Sequence, residues 1–562
     1  MAKTQRRKAV VPDRIPSFEG IIVSLGEAGA NAEEGLRIAH SLAKRTGLET
    51  WQAEPVGAGD YVLTPPARTR VPSARAWTLT RKLIADRAVV DAEPAFRTRG
   101  HDPHPTQLAP RGVKAAFLFP DVTPRPGALA DCEWSLKLCR IPEAWTYSQA
   151  QGRTPYGENV VVAHPDTGYT THPDFFDPAR VDTASGYDFF TGQPDPLDPL
   201  SGQNPSHGTS TGSVIASGIG PHGVNHVTGA APKARLVPLR TNDSVMYFSY
   251  LNLCRALYFA ADKGWPVASM SLGGAFSSKA LLRALQYAAD KGMILVAASG
   301  NYYPAVVYPA RYEETVAACA CNVDVLGLDP GHIADGIWKY AAKEDDVDVT
   351  APGETVWRAR TEPGEVFLVA PSDGTSYATA TVAGIAALWL AHHGLETLRQ
   401  RYPGRQLPTV FKEIVMTVGV EVPRGWRTDL WGAGVINALK VLQAPLPDTP
   451  RARGFRRPSR RNVASEGPLD RIIRHFPEVP PDRARKAIME AFGQSERDLH
   501  GTLESYGSEL EFLVATDPDV RQGLLSQMRP TRARGARAVS KAMPVSQVLS
   551  AASPELRKRL AR

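Results

Sequence analysis

Three residues of types that can act together on an acyl group lie in three short stretches of the sequence. Asp166 follows the apolar run 160–163, while His207 and Ser376 each open a run of small residues. An aspartate can orient a histidine, and the histidine can take the proton of a serine that attacks a carbonyl carbon. Asp, His and Ser follow one another in one of the few chain orders known for this arrangement. The three stretches therefore predict covalent catalysis by Ser376.

Each residue also has a simpler interpretation on its own. Asp166 could be a carboxylate at the turn after a strand, or one half of an aspartic protease, but the sequence has no second Asp-Thr-Gly or Asp-Ser-Gly. His207 could stand near a helix start with no chemical role, and Ser376 could be only a helix N-cap. These interpretations do not explain why the three motifs occur together in this order. We therefore predict that Asp166, His207 and Ser376 form a catalytic triad.

The surrounding pattern predicts how these residues are positioned. Strand-like runs such as 160–163 and 293–298 alternate with helices such as 278–290, which is typical of an α/β fold with a parallel sheet and helices on both faces. Such sheets place their active sites at the carboxyl ends of strands, where Asp166 stands. Ser376 is predicted at a helix N-terminus, where free N–H groups and the helix dipole can stabilise an oxyanion.

Further motifs make residues 133–443 similar to the subtilisin-like (subtilase) serine proteases. The segments 229–232, 349–353 and 431–437 match the family's motifs in the family's order. The related sedolisin-like enzymes carry a glutamate where this chain has His207, which favours the subtilisin branch. The resemblance implies that Asn301 contributes to an oxyanion hole. It also implies a substrate-binding cleft lined by two segments, one with Ser271, Leu272, Gly273 and Gly274 and the other with Ala298, Ser299 and Gly300.

Two positions depart from the family pattern. Tyr377 follows the serine where the family usually has methionine, and Ala380 stands where it usually has proline. A proline in the first helical turn is tolerated because its missing N–H has no partner there, so its replacement by Ala380 should cost little. Tyr377 removes a methionine that peroxide could oxidise. Neither departure changes a triad residue.

The region before the α/β block shows a β-α-β-α-β pattern that closes with a predicted strand at 88–90. The segment 89–94 is similar to the end of the inhibitory propeptide of the same family. This resemblance implies an autoinhibited precursor that is cleaved within 97–131. An accessory domain that is never cleaved is the alternative. The full prediction has six segments: a basic tail at 1–16, a propeptide-like α+β domain at 17–96, a linker at 97–131, a subtilisin-like catalytic domain at 132–443, an Arg- and Pro-rich linker at 444–467, and a helical region at 468–562.

Composition limits the other classes of function. The chain is 43% hydrophobic and 22% charged, with no apolar run of membrane-spanning length, which predicts no membrane partner. The basic N-terminus is followed by prolines and charges rather than the apolar core of a signal peptide, so we expect a cytoplasmic protein, with export by another route left open. The five cysteines lack metal-ligand spacing, so no metal site or required cofactor is predicted. Structural calcium, common in the family, cannot be placed by any motif.

The positive charge lies at the C-terminal end. Residues 451–562 contain 22 Lys and Arg against 13 Asp and Glu, whereas the whole chain has a net charge of only +7. Without interleaved aromatics or a nucleic-acid motif, these arginines do not favour nucleic-acid binding, and the helical pattern indicates a protein partner instead. The predicted function is a serine endopeptidase acting on proteins or peptides through an acyl-enzyme. A peptide ligase or cyclase with the same triad, and a regulatory binding module with a protease fold, are the alternatives.

Overall fold

The computed structural model describes residues 16–99, 126–202, 204–220, 226–245, 247–303, 305–448, 466–528 and 549–560. Most of the predicted basic tail, of the linker at 97–131 and of the linker at 444–467 therefore lies outside the described residues. The rest forms three units, here called the N-terminal domain (16–99), the central domain (126–448) and the C-terminal module (466–528 and 549–560).

The N-terminal domain has two helices packed on one antiparallel sheet, whose strand order is β2-β3-β1-β4. Asn31 caps the first helix by accepting a hydrogen bond from the Glu34 N–H, and Lys44 and Arg45 end it, as the helix dipole favours. The elements are β1 (Ser17–Ser24), α1 (Ala32–Arg45), β2 (Gln52–Gly57), β3 (Asp60–Thr64), α2 (Ser73–Ile84) and β4 (Asp91–Arg99).

Two details of this domain differ from the sequence prediction. β2 is an additional edge strand that pairs with β3, so the order is β-α-β-β-α-β. The closing strand is Asp91–Arg99 rather than 88–90, and the Val90 side chain is 73% exposed. Residues 88–90 only lead into the strand, because Val89 closes a turn with Asp86.

The central domain is built on a nine-stranded sheet with the order β15-β16-β12-β11-β10-β9-β5-β7-β6. The pairs from β12 across to β7 are parallel. Strands such as β10 and β11 are buried along their whole length because helices cover both faces of the sheet. This arrangement confirms the predicted α/β fold. The strands are β5 (Val161–Asp166), β6 (Tyr187–Asp188), β7 (Arg235–Arg240), β8 (Tyr247–Ser249), β9 (Val267–Met270), β10 (Ile294–Ala298), β11 (Thr315–Cys321), β12 (Val349–Pro352), β13 (Val356–Glu362), β14 (Val366–Ser372), β15 (Val420–Glu421) and β16 (Val435–Ile436).

One long helix, α9, runs through the core of the central domain. All its residues from Thr375 to His392 are buried, and it is apolar on all sides. A methyl group added to Gly384 would lie 2.5 Å from the Ala230 Cβ, so the small residues let the helix approach its neighbours closely. The helices of the domain are α3 (Pro126–Ala130), α4 (Trp134–Leu138), α5 (Ile141–Ala150), α6 (His207–Ala216), α7 (Tyr250–Asp262), α8 (Lys279–Asp290), α9 (Thr375–His393), α10 (Leu395–Arg401), α11 (Gln406–Met416), α12 (Thr428–Trp431) and α13 (Ala438–Gln443).

The C-terminal module is helical, as the sequence predicts. Its apolar side chains form a core that continues into the N-terminal domain. Its helices are α14 (Pro468–Ile473), α15 (Pro481–Phe492), α16 (Glu496–Thr516), α17 (Pro518–Met528) and α18 (Pro554–Leu560). In the part of the chain that the structure describes, no helix has both the length and the apolar character needed to cross a membrane.

Candidate active site

Asp166 ends strand β5 and is completely buried. The His207 Nδ1–H donates to this carboxylate, with Nδ1 lying 2.8 Å from Oδ1 and 3.0 Å from Oδ2. The Thr167 N–H donates to Oδ1 at 2.7 Å. Burial alone would raise the pKa of Asp166, but the charge and hydrogen bond of His207 outweigh it and hold the pKa below its ordinary value. Asp166 is therefore held as a carboxylate that orients the imidazole through its Nδ1.

His207 is the first residue of α6, and Ser376 is the second residue of α9. The two helices pack against each other, which brings the His207 Nε2 to 3.2 Å from the Ser376 Oγ. With Nδ1 donating to Asp166, Nε2 is free to accept the proton of the serine hydroxyl. The structure thus brings the three predicted triad residues together, although they are separated by up to 210 positions in the chain.

Asn301 lies beside the start of α9. Its side-chain oxygen accepts hydrogen bonds from Thr375, from N at 3.0 Å and from Oγ1 at 2.7 Å. A methyl group added to Gly374 would lie 3.5 Å from the Asn301 Nδ2 and 3.7 Å from the Ser376 N. The absence of a side chain at Gly374 therefore leaves open a space bordered by two N–H donors. An oxyanion needs such donors at the place where its charge develops.

The two predicted cleft segments follow the ends of β9 and β10. The Ser271 hydroxyl donates to the Ser376 carbonyl oxygen at 3.0 Å, which ties the first segment to the nucleophile. Gly274 pairs with Tyr308 through two backbone hydrogen bonds of 2.8 Å. Leu272 is 3% exposed and Ser299 is 0% exposed, so these two residues can offer a substrate only their backbone. Ala298 ends β10, and Gly300 stands beside Asn301.

Val307 fills the gap between these two segments, and no sequence motif indicates this. A methyl group on Gly273 would lie 2.6 Å from the Val307 Cγ2, and one on Gly300 would lie 2.9 Å from its Cγ1. The Val307 N–H donates to the Ser299 oxygen at 2.9 Å, which fixes the residue there. A side chain on either glycine would point at Val307, whose two methyl groups occupy the space that the glycines leave.

A second unpredicted feature lies beneath Asp166. His164, two residues earlier on β5, is buried, and its Nε2 lies 3.0 Å from the Thr211 Oγ1. The Thr211 hydroxyl lies in turn 3.3 Å from the Asp166 Oδ2. Burial lowers the pKa of His164 to about 4, so this imidazole is neutral at ordinary pH. The signal in the sequence is a histidine directly after the apolar run 160–163.

Asp373 adds a partly buried carboxyl three residues before Ser376. Its Oδ1 accepts the Thr355 N–H at 2.6 Å, while Oδ2 is buried and has no hydrogen-bond partner among the residues that the structure describes. Burial raises the pKa of Asp373 to about 6. Among the described residues, no group of three or more His, Cys, Asp or Glu side chains could hold a metal ion. Calcium binding stays a prediction from the resemblance.

Comparisons with known proteins identify relatives of the central domain. The model of the subtilase family (Peptidase_S8) matches residues 157–416. Subtilisin Savinase of Lederbergia lenta is 31% identical over 309 residues, covering 54% of this chain and 96% of that protein. M-protease of Shouchella clausii (strain KSM-K16) is 30% identical over 341 residues, covering 59% of this chain and 77% of that protein.

Among solved structures, the fold is similar to that of fervidolysin from Fervidobacterium pennivorans, described as a keratinolytic enzyme related to subtilisin. The TM-score is 0.54 at 21% identity, and the match covers 78% of this chain and 63% of that chain. This likeness concerns the fold, while the sequence relatives identify the family. The chain belongs to the subtilase family and is a serine endopeptidase, whose substrates are proteins or peptides.

Proposed function

We propose that Ser376 is the nucleophile of this endopeptidase and that His207 and Asp166 activate it. Ser376 attacks the scissile carbonyl carbon while its proton passes to the His207 Nε2. His207 then gives this proton to the leaving amine, and a water repeats the sequence on the acyl-enzyme. Asp166 holds the tautomer of the imidazole and stabilises its charged form. The observation that carries this proposal is the continuous hydrogen-bonded series from Asp166 through His207 to Ser376.

The carbonyl oxygen of the substrate becomes negatively charged in the attack. We place this oxyanion in the space beside Gly374, between the Asn301 Nδ2 and the Ser376 N–H. Ser376 lies in the first turn of α9, so its N–H has no partner within the helix and the helix dipole adds a positive potential. Asn301 is oriented for this role because Thr375 holds its side-chain oxygen on the other side.

The N-terminal domain is proposed as an inhibitor of the central domain in the precursor. The Glu93 carboxylate lies at the start of α8, where it accepts hydrogen bonds from the Ser278 hydroxyl, the Lys279 N–H at 2.8 Å and the Ala280 N–H at 3.3 Å. A carboxylate at a helix N-terminus satisfies free N–H groups and interacts favourably with the helix dipole. Burial raises the pKa of Glu93.

A second carboxylate of the N-terminal domain contacts the N-cap residue of the neighbouring helix. Glu19 accepts the hydroxyl of Ser249, the N-cap residue of α7, at 2.5 Å. Strand β4 also pairs antiparallel with β8, which adds the sheet of the N-terminal domain to an edge of the central domain. β4 ends at Arg99, inside the predicted linker at 97–131, where we propose that the precursor is cut.

A fluorophosphonate probe, which labels an activated serine, tests both parts of this proposal. We expect slow labelling of the uncut chain, rapid labelling after the linker at 97–131 is cut and the N-terminal domain removed, and no labelling of the Ser376→Ala chain. Labelling of Ser376→Ala would refute the assignment of the nucleophile. Rapid labelling of the uncut chain, with only full-length mass present, would instead show that the N-terminal domain is not an inhibitor. Incubation with a peptide acceptor distinguishes hydrolysis from ligation by the product formed.

A further inference from the structure

One side chain of the C-terminal module joins all three units of the protein. Phe512 of α16 is 1% exposed, and its ring stacks on that of Phe96 in β4, with centroids 4.5 Å apart. Trp77 of α2 lies edge-on to the same ring at 6.1 Å, and Phe276 of the central domain lies edge-on at 5.3 Å. Aromatic pairs at these distances stabilise an interface beyond the apolar area that they bury. The N-terminal domain is therefore held from two sides, by the central domain and by the module.

A largely buried ion pair lies one helical turn away from this aromatic cluster. The Arg81 Nη1 of α2 lies 2.7 Å from the Glu509 Oε2, and the Glu509 side chain is only 1% exposed. Arg81 also pairs with Glu555 at 3.2 Å and lies over the Tyr506 ring at 4.9 Å. Glu509 is held in place by Ser553, whose N–H and hydroxyl both donate to it. The module thus presents an acidic and aromatic site that fits one arginine of the N-terminal domain.

The opposite side of the module is anchored to the central domain. Glu511 accepts hydrogen bonds from the Ser277 N–H at 2.9 Å and from its hydroxyl at 2.8 Å. Arg474 pairs with Glu344 at 3.2 Å and with Asp346 at 3.0 Å, and Asp346 is completely buried. Separating a buried charge pair is costly because each charge loses its partner, so such contacts break slowly. The module is therefore a fixed part of the central domain on which the N-terminal domain rests.

We propose that the C-terminal module is a docking surface for the N-terminal domain and retains it on the central domain after the linker at 97–131 is cut. The partner is this chain's own N-terminal domain, because Phe96, Trp77 and Arg81 already occupy the aromatic and acidic parts of the surface. The contact between the module and the N-terminal domain is inferred only from these distances and burial. Its consequence, slow activation after cleavage, rests on the proposed inhibitory role of the N-terminal domain.

The test measures how fast the cut N-terminal domain leaves. The full chain carries Ser376→Ala to prevent self-digestion, and a recognition site for a sequence-specific protease inserted between 101 and 125. After complete cutting, the dissociation rate of the labelled N-terminal fragment is measured on dilution. Truncation of a central aromatic anchor typically accelerates dissociation at least about 30-fold, which is our expectation for Phe512→Ala. Phe492→Ala is the matched control, because it removes a buried ring from the module core that forms no described ring contact with the N-terminal domain.

A pair of charge substitutions separates docking from general loosening of the module. Arg81→Met and Glu509→Gln each remove one partner of the same ion pair, so together they should accelerate release by less than the product of their separate effects. The proposal is overturned if Phe512→Ala releases the fragment no faster than Phe492→Ala. It is also overturned if the two charge effects multiply, because the residues would then act independently.

The two proposals can fail separately in this experiment. If the fragment leaves the cut, otherwise unsubstituted chain within the time of dilution, docking by the module is refuted whatever the activity. The second readout is fluorophosphonate labelling of the cut chain with Ser376 intact. If the fragment is retained and labelling is still as fast as after its removal, docking stands and the inhibitory function is refuted. Slow labelling that becomes fast at the rate of release supports both.

Discussion

The substitution Val307→Ala tests whether this residue restricts the substrate. Val307 places Cγ2 against Gly273 and Cγ1 against Gly300, in the gap between the two cleft segments that flank Ser376. A substrate side chain that entered this gap would meet both methyl groups. We therefore expect the unaltered enzyme to prefer a small residue, such as alanine, on the acyl side of the cleaved bond. Val307→Ala removes both methyl groups without changing the backbone.

The expected magnitude follows from the two carbon atoms removed. Each buried CH₂ group is worth about 0.8 kcal/mol, so a substrate side chain that fills the vacated space gains about 1.6 kcal/mol. This corresponds to a change of about 15-fold in relative kcat/KM, since about 1.36 kcal/mol is tenfold. The ratio of kcat/KM for leucine over alanine at this substrate position should rise by that amount.

Two peptide series that differ only at this position provide the assay. Val306→Ala is the matched control, because it removes the same atoms from the neighbouring residue, which is 2% exposed. This control should lose comparable stability and leave the leucine-to-alanine ratio unchanged. An equal ratio in Val307→Ala and the unaltered enzyme would refute the assignment of Val307 to the substrate gap. A shift of the same size in Val306→Ala would attribute the effect to loosening of the loop.

Three further predictions concern Asp373, Gly374 and Tyr377, which lie close to Ser376 in the sequence. The pKa of Asp373, raised from 3.8 to about 6, means that folding favours its protonated form, so the associated stability is present at pH 4 and lost as pH rises through 6. In an inactive Ser376→Ala background, Asp373→Asn should therefore raise the free energy of unfolding by up to about 3 kcal/mol at pH 8 and by little at pH 4. Urea unfolding measures both values, and an equal effect at the two pH values would contradict the prediction. Gly374→Ala should lower kcat about 10²–10³-fold or more, because its methyl group enters the space beside Asn301. This is the effect of losing subtilisin's own oxyanion-hole asparagine. Near-normal activity in steady-state kinetics would refute this oxyanion site. Mild peroxide treatment should leave turnover nearly unchanged, because Tyr377 replaces the oxidisable methionine, and a rapid loss of activity would show that another residue is the sensitive one.

The candidate triad could be proposed from the sequence because each member lies in a short local motif. Asp166 ends an apolar run, and His207 and Ser376 begin runs of small residues, so strand and helix ends place them without knowledge of distant contacts. The parallel sheet follows for a related reason, since strands buried on both faces are apolar along their whole length. The structure places all three side chains within hydrogen-bonding distance of their neighbours in the series.

The closing strand of the N-terminal domain could not be placed because its burial depends on another domain. Asp91–Arg99 contains Glu93 and Pro94, which do not fit the apolar pattern of a strand. Glu93 is stabilised there by the N-terminus of α8, which lies about 185 residues further along the chain. The strand was predicted at 88–90 instead, because Val89 and Val90 are more apolar, although both precede the strand.

The contents of the substrate gap were missed for a similar reason. Val307 belongs to no motif, and a valine in a loop carries no sign that it faces two glycines from different strands. The role of the C-terminal module was also hidden. Its periodicity predicted helices and a protein partner, but Phe512 and Glu509 meet residues more than 400 positions away, so the sequence could not show that the partner lies in the same chain.

One loop of the central domain, which contains Tyr303 and Val306, connects the proposed docking surface on the module with the gap that Val307 fills. The Tyr303 hydroxyl lies 2.7 Å from the Nδ1 of His475 in the module, and the Val306 N–H donates to Glu344, which also pairs with Arg474. The module therefore contacts the loop that positions Val307, while its residues Phe512 and Glu509 contact the N-terminal domain. We expect deletion of the whole module to change retention of the N-terminal domain and substrate preference together, and neither change could then be assigned to one contact. Point substitutions separate the two, because Phe512 contacts the N-terminal domain and Val307 does not line that contact.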